Sequence, residues 1–107
     1  MSDKLCSDSP ASEEKDALLS LRAQIDAVDE ALQKLFERRM ALVEEIAALK
    51  RKQGSPVLDA AREEEKLASA AARAASGMAE YDEAFLRQLM ALARQRQEEL
   101  LEKADNS

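Results

Sequence analysis

The sequence contains no histidine and no tryptophan, and its 107 residues include one cysteine, two glycines and two prolines. Without histidine, the chain lacks the side chain that most often binds metals or acts as a general base near neutral pH. The single cysteine, Cys6, excludes an intrachain disulfide and a cysteine-based zinc site. We therefore expect no metal ion.

Turn signals and strand patterns are also scarce. With so few glycines and prolines, the chain has few places to turn, and no segment alternates apolar and polar residues as a half-buried strand does. The hydrophobic fraction is 46 %, with aromatics at only 3 %. Much of it is alanine, which has the highest helix propensity and buries little area per residue. The sequence predicts an all-α protein built from long helices.

The overall charge excludes one class of partner. The formal net charge is −6 at pH 7, whereas a general nucleic-acid binder normally carries a basic stripe. No apolar run reaches the roughly 18 residues that a membrane span needs, and the residues after Met1 lack the apolar part of a signal peptide. We expect a soluble, cytoplasmic protein that binds neither nucleic acid nor membranes, although a local cationic pocket is compatible with this charge.

Breaks between helices are predicted at two places. Gly54 suits a helix C-terminus, Pro56 stops the helix from continuing, and Asp59 is a good N-cap for the next helix. Ser76 and Gly77 end that second helix. The predicted segments are a mobile tail at 1–15, one helical domain at 16–103 with helices at about 16–52, 60–75 and 80–103, and a mobile end at 104–107.

The first predicted helix is too long for a chain of this size. About 37 residues would span about 55 Å, whereas a compact domain of this length is only about 35 Å across. Its apolar residues alternate at spacings of three and four, and this apolar seam needs a partner along its whole length. A second copy of the chain is the simplest partner, so we predict a homodimer. The apolar seam consists of Leu18, Leu21, Ile25, Val28, Leu32, Leu35, Leu42, Ile46 and Leu49.

Cations interrupt or flank the seam. Arg39 takes the seam position between Leu35 and Leu42, and an unpaired buried arginine is costly. It forms either a structural ion pair, a snorkelling contact with solvent, or part of an anion site. Lys50 is about 16 Å further along the same face and is either solvated at the helix end or closes on the same ligand. Arg22 is about 25 Å before Arg39, so it could join that site only from an antiparallel partner chain.

The other two helices carry further candidates. Gln97 falls on the apolar stripe of the third helix, either as a rim residue or as an inward amide donor. Asp59, Arg62 and Glu63 are grouped at the start of the second helix, where capping and an exposed ion pair would also explain them. Taken together, the candidates describe cations on the first helix, a carboxylate and an arginine on the second, and an amide on the third.

Five segments in this order resemble the type II chorismate mutases. They are Leu21–Asp29 (LRAQIDAVD), Glu37–Met40 (ERRM), Lys50, Pro56–Glu63 (PVLDAARE) and Ala93–Gln97 (ARQRQ), and the resemblance covers about residues 17–101. It implies an intertwined homodimer of three-helix chains that converts chorismate to prephenate in phenylalanine and tyrosine biosynthesis. No cofactor is implied. The rearrangement is unimolecular and needs orientation and charge stabilisation rather than a base or nucleophile, which suits a chain without histidine.

The resemblance also implies a role for each candidate residue. Arg39 and Lys50 of one chain and Arg22 of the other would hold the substrate carboxylates, and Lys50 and Gln97 would also donate to the breaking ether oxygen. Glu63 would accept a hydrogen bond from the ring hydroxyl near the backbone of Asp59, and Arg62 would orient the neighbouring groups. Arg39, Lys50 and Gln97 are thus the expected catalytic residues. One position departs from the family pattern, because Ala93 stands where a small hydroxyl often helps to hold a carboxylate.

Three alternatives to a chorismate mutase are compatible with the same sequence. An isochorismate–pyruvate lyase would use a similar cationic pocket, but the intact Asp59-x-x-Arg62-Glu63 element favours the mutase. A mutase of 4-amino-4-deoxychorismate is weakly suggested by Ala93. A non-catalytic helical interaction module, with Arg39 in a structural ion pair, would not consume chorismate.

Overall fold

The computed structural model describes residues 10–105, and all of its regular secondary structure within that range is α-helical. Helix α1 is Pro10–Gln53 (44 residues), α2 is Ala60–Arg73 (14 residues) and α3 is Ala79–Asp105 (27 residues). The prediction of an all-α chain with three helices, the first very long, is confirmed for this part of the chain.

Three helix ends differ from the prediction by two residues or more, and one of them is the end of α2, at Arg73 rather than near residue 75. Helix α1 begins at Pro10 rather than near Asp16, so residues 10–15 are helical where a tail was expected. Proline is tolerated in the first turn, where no N–H partner is needed, and Glu13 lies favourably near the positive end of the helix. Helix α3 continues to Asp105, beyond the predicted end at Lys103. The remaining parts of the predicted tail and mobile end, residues 1–9 and 106–107, lie outside the described residues.

Both turns form at the glycines. Gly54 and Gly77 have φ values of 69° and 79°, a left-handed conformation that costs glycine little. The N–H of Gly54 donates to the carbonyl of Arg51 at 3.3 Å, which closes the last turn of α1. The side chain of Asp59 caps α2 by accepting a hydrogen bond from the N–H of Arg62 at 3.0 Å. The predicted break and N-cap are therefore confirmed.

The described residues divide into two compact units, the first ending at Arg38 and the second beginning at Arg39. In the first, the described residues form the N-terminal part of α1, and the large apolar side chains on its seam are all exposed. Their exposed fractions run from 44 % at Leu32 to 61 % at Leu35. An isolated helix of this kind leaves a long apolar stripe uncovered.

The second unit contains the C-terminal part of α1 together with α2 and α3. Its buried apolar side chains are small or flexible: Val43, Ala47, Ala70, Met90 and Ala93. In α1, the buried residues Val43 and Ala47 lie beside the seam rather than on it, whereas the seam residues Leu42 and Ile46 are 51 % and 46 % exposed. Arg96 of α3 donates to Glu44 of α1 at 2.7 and 2.9 Å outside this core. The packing within the unit thus leaves the apolar seam largely exposed.

Candidate active site

A cavity of about 520 Å³ lies in the second unit, between α1, α2, α3 and the loop before α2. Its wall contains cations, carboxylates, one amide and apolar side chains. Six of the seven candidate residues from the sequence line it: Arg39, Lys50, Asp59, Arg62, Glu63 and Gln97. The seventh, Arg22, is an exposed residue of α1 in the first unit and does not line the cavity.

Arg39 is half-buried at the cavity wall. Its Nη1 donates to the backbone carbonyl of Leu89 in α3 at 3.3 Å. No ion pair with a carboxylate is formed within residues 10–105. A carbonyl carries no formal charge, so it does not compensate the positive charge of the guanidinium. Four of the five N–H donors remain available for a ligand. The structural ion pair that the sequence left open is absent from the described structure.

Lys50 is held in place by the turn that follows α1. Its Nζ donates to the backbone carbonyl of Val57 at 2.6 Å, and the side chain is half-buried. The left-handed Gly54 allows the chain to reverse so that Val57 comes back to this lysine. An ammonium has three donors, so two remain for a ligand in the cavity.

The start of α2 supplies Asp59 and Arg62. Asp59 is the N-cap, and Arg62 donates to Glu65 at 3.0 Å through side chains that are 58 % and 71 % exposed. Exposed pairs of this kind contribute about 0–1 kcal/mol. Both residues therefore have the structural roles that the sequence also suggested, while each lines the cavity.

Glu63 makes an ion pair that the sequence did not reveal. Nη1 of Arg94, in α3, donates to both of its carboxylate oxygens, and the side chains are only 33 % (Arg94) and 24 % (Glu63) exposed. Arg94 also lines the cavity. The sequence signal for Arg94 was its position one turn before Gln97, on the same face of α3.

Lys66 is a second cation whose place at the cavity was not evident from the sequence. It lines the cavity one turn after Arg62 and is half-buried. Burial lowers the pKa of the Lys66 ammonium, and the positive charges of Arg62, Arg39 and Arg73 lower it further. Arg62 and Arg39 line the same wall, so cations are concentrated in this part of the cavity.

Gln97 is the most deeply buried polar residue of the described chain, at 6 % exposure. Its Oε1 is buried and has no hydrogen-bond partner within residues 10–105. Leaving such an atom unpaired costs about 1–3 kcal/mol, so a polar ligand in the cavity would relieve the cost. The oxygen and nitrogen of an amide exchange places by a half-turn, so this position can equally present a donor.

The cavity wall therefore has the opposite charge to the chain as a whole. Two carboxylates, Asp59 and Glu63, face five cations: Arg39, Lys50, Arg62, Lys66 and Arg94. Such a wall favours a small ligand with more than one negative charge, and the buried amide adds one directional hydrogen bond. Within residues 10–105, no group of three or more histidine, cysteine, aspartate or glutamate side chains could hold a metal ion. None of the helices in that range combines the length and apolar character that crossing a bilayer requires.

Comparison with known proteins shows the family of the chain. The family model described as chorismate mutase type II matches residues 21–98, a range that includes Arg22 and every residue lining the cavity. Neither the curated proteins nor the solved structures gave a significant match. Because the matched range covers most of the 107 residues and brings in all three helices, the chain belongs to the type II chorismate mutase family.

Proposed function

We propose that this protein is a chorismate mutase that rearranges chorismate to prephenate. The observation that carries the proposal is the combination of a cation-rich cavity with the buried, unpartnered amide of Gln97 in a member of this family. Chorismate is a dianion with an ether oxygen between its two halves, so it matches both features. The activity would serve phenylalanine and tyrosine biosynthesis in the cytoplasm.

The reaction requires a folded substrate more than it requires reactive side chains. One C–O bond breaks and one C–C bond forms within a single molecule, with no proton or electron exchanged. The side arm must fold over the ring, and fixing both carboxylates removes most of the entropic cost of that conformation. Arg39 and Lys50 supply donors and charge for this purpose, since neither is neutralised by a carboxylate within the described residues.

Charge stabilisation accounts for the second part of the rate. Negative charge develops on the ether oxygen as the C–O bond lengthens, and preorganised donors aimed at that atom lower the barrier. Lys50 and Gln97 are the donors that we assign to it, because both line the cavity and the Gln97 amide, whose Oε1 has no partner, can turn to present its N–H. Glu63 is assigned to the ring hydroxyl, next to Asp59, with Arg62 orienting its neighbours.

We further propose that two chains form an intertwined homodimer and that each cavity receives Arg22 from the partner. The seam of α1 is exposed, and two of its members, Leu42 and Ile46, line the cavity while remaining about half exposed. A second copy of the seam would cover these side chains and close the open side of the cavity. Arg22 is 17 positions before Arg39 in the same helix, too far to share a small ligand within one chain.

The direct test is to incubate purified protein with chorismate and identify the products. Prephenate without pyruvate is expected, whereas pyruvate release from isochorismate would indicate the lyase. Arg39→Ala should lower kcat/KM by about a hundredfold or more, because charge-assisted donors to the substrate are lost. Arg38→Ala is the matched control, since Arg38 is exposed and does not line the cavity. A folded wild-type protein that consumes no chorismate would exclude the proposed function.

A further inference from the structure

The ion pair between Glu63 and Arg94 differs from the others near the cavity. Nη1 of Arg94 contacts both carboxylate oxygens of Glu63, and both side chains are at least two-thirds buried. The neighbouring pair of Arg62 and Glu65 is more than half exposed and is therefore strongly screened by water. The negative charge of Glu63 is thus compensated at the cavity wall itself.

This compensation leaves Glu63 able to accept hydrogen bonds. A carboxylate has about four lone-pair sites, and Arg94 uses one on each oxygen. A neutral hydroxyl in the cavity can still donate to it at no electrostatic cost. A cationic group in the cavity is attracted by the carboxylate of Glu63 but repelled by the guanidinium of Arg94 beside it.

The difference matters for two substrates that are otherwise alike. Chorismate carries a ring hydroxyl, and 4-amino-4-deoxychorismate carries an amino group in its place. An aliphatic amino group is protonated at neutral pH, so the second molecule brings a positive charge to that position. Both would undergo the same rearrangement, in which one C–O bond breaks and one C–C bond forms.

We propose that Arg94 determines specificity by neutralising Glu63, so that the cavity favours the hydroxylated substrate over the aminated one. This inference rests on the proposed chorismate mutase activity. Arg94 acts through Glu63 and is therefore a positioning residue rather than a catalytic one. Without its charge, Glu63 would attract an ammonium group and the preference would weaken.

The test compares kcat/KM for the two substrates in the wild type and in Arg94→Met, which keeps a long side chain without the charge. The ratio of the two values should shift toward the aminated substrate by about tenfold in the variant. Arg96→Met is the matched control, because Arg96 also bridges two helices through a glutamate, Glu44, but does not line the cavity. Its ratio should equal that of the wild type.

Two more variants separate charge from structure. Arg94→Lys keeps the positive charge beside Glu63 and should have the wild-type ratio. If the ratio depended on the packing of the arginine side chain alone, the lysine would not preserve it. Glu63→Gln leaves the arginine uncompensated and should disfavour the aminated substrate further. This second variant also keeps the test decisive if Arg94→Met does not fold.

Three results would overturn the proposal. A folded Arg94→Met variant with an unchanged ratio, in a wild type that consumes chorismate, would exclude the role of Arg94 while leaving the proposed function intact. An unchanged ratio in Glu63→Gln would exclude it in the same way. A wild type that consumes neither substrate would overturn the proposed function and this inference together.

Discussion

Single side chains of the cavity differ in how far their charge is compensated. Arg94 is paired with Glu63, whereas Arg39 and Lys50 donate to backbone carbonyls and form no ion pair with the described residues. Lys66 has no carboxylate partner within hydrogen-bonding distance in that range either. A dianion that enters the cavity can therefore gain charge-assisted hydrogen bonds without first breaking a salt bridge.

Gln97→Glu tests the assigned donor to the ether oxygen. An amide donates at any pH, whereas a carboxyl group donates only when protonated. We expect activity to fall at neutral pH and to recover partly in acid, where burial favours the protonated carboxyl. The pH–rate profile measures this effect. Gln95→Glu is the control, because Gln95 is an exposed glutamine of the same helix; similar profiles for both variants would remove Gln97 from the site.

Lys66→Met tests whether the missed cation helps to bind the substrate. Burial and the nearby arginines lower the pKa of Lys66, so its charge is lost, as the pH rises, at a lower pH than that of an ordinary lysine. In the wild type, kcat/KM should therefore fall on the alkaline side. The variant should have a lower kcat/KM at neutral pH and a smaller alkaline fall. Lys52→Met, at an exposed lysine outside the cavity, should keep the wild-type profile.

The same shift predicts an opposite effect on stability. Unfolded Lys66 has its ordinary, higher pKa, so the unfolded chain binds more protons between the two values. The free energy of unfolding should thus rise with pH across this window through Lys66. Lys66→Met should remove that rise and stabilise the protein near neutral pH. Chemical denaturation at several pH values measures it, and a loss of stability on substitution would indicate a structural role for Lys66.

The sequence made a polar side chain a candidate where it interrupted an apolar pattern. Arg39 and Gln97 stood out for that reason, and both line the cavity. Lys66 and Arg94 did not, because charged residues on helices are usually solvated. Which of them faces the cavity depends on how α2 and α3 pack, and periodicity within one helix does not contain that information.

At the scale of the helices, local signals explain most boundaries. Gly54 and Asp59 mark the break between α1 and α2 as the sequence predicted. The predicted start of α1 was wrong, because Pro10 is compatible with a first helical turn and no residue between it and Asp16 breaks the helix. The packing within one chain uses Val43 and Ala47, which leaves the seam of α1 exposed.

Substitution on the seam tests its proposed role. Leu32→Lys should shift the protein from dimer to monomer at micromolar concentration, because a charge would replace an apolar contact between two chains. Activity should fall with dissociation, since Arg22 of the partner would be lost. Leu19→Lys is the matched control: Leu19 is an exposed leucine of α1 that is not on the seam. Sedimentation equilibrium measures the oligomeric state of both variants. A wild type that is monomeric and folded would exclude the proposed dimer.

At the scale of the whole molecule, the net charge of the chain and the charge of the cavity wall have opposite signs. The formal net charge is −6, yet the cavity wall carries five cations and two carboxylates. The surplus of negative charge elsewhere opposes the approach of a dianion, so binding depends on the local field of the cavity. That field is completed, in our proposal, by Arg22 from a second chain.

Complementation between two inactive variants tests the shared cavity and its activity in one measurement. Arg22→Ala and Arg39→Ala chains are refolded together in equal amounts, and chorismate consumption is compared with that of each variant refolded alone. A hybrid dimer contains one cavity with both arginines and one with neither, and about half of the dimers are hybrids. The mixture should therefore recover about a quarter of the wild-type rate. A mixture no more active than its parents would contradict a cavity built from two chains.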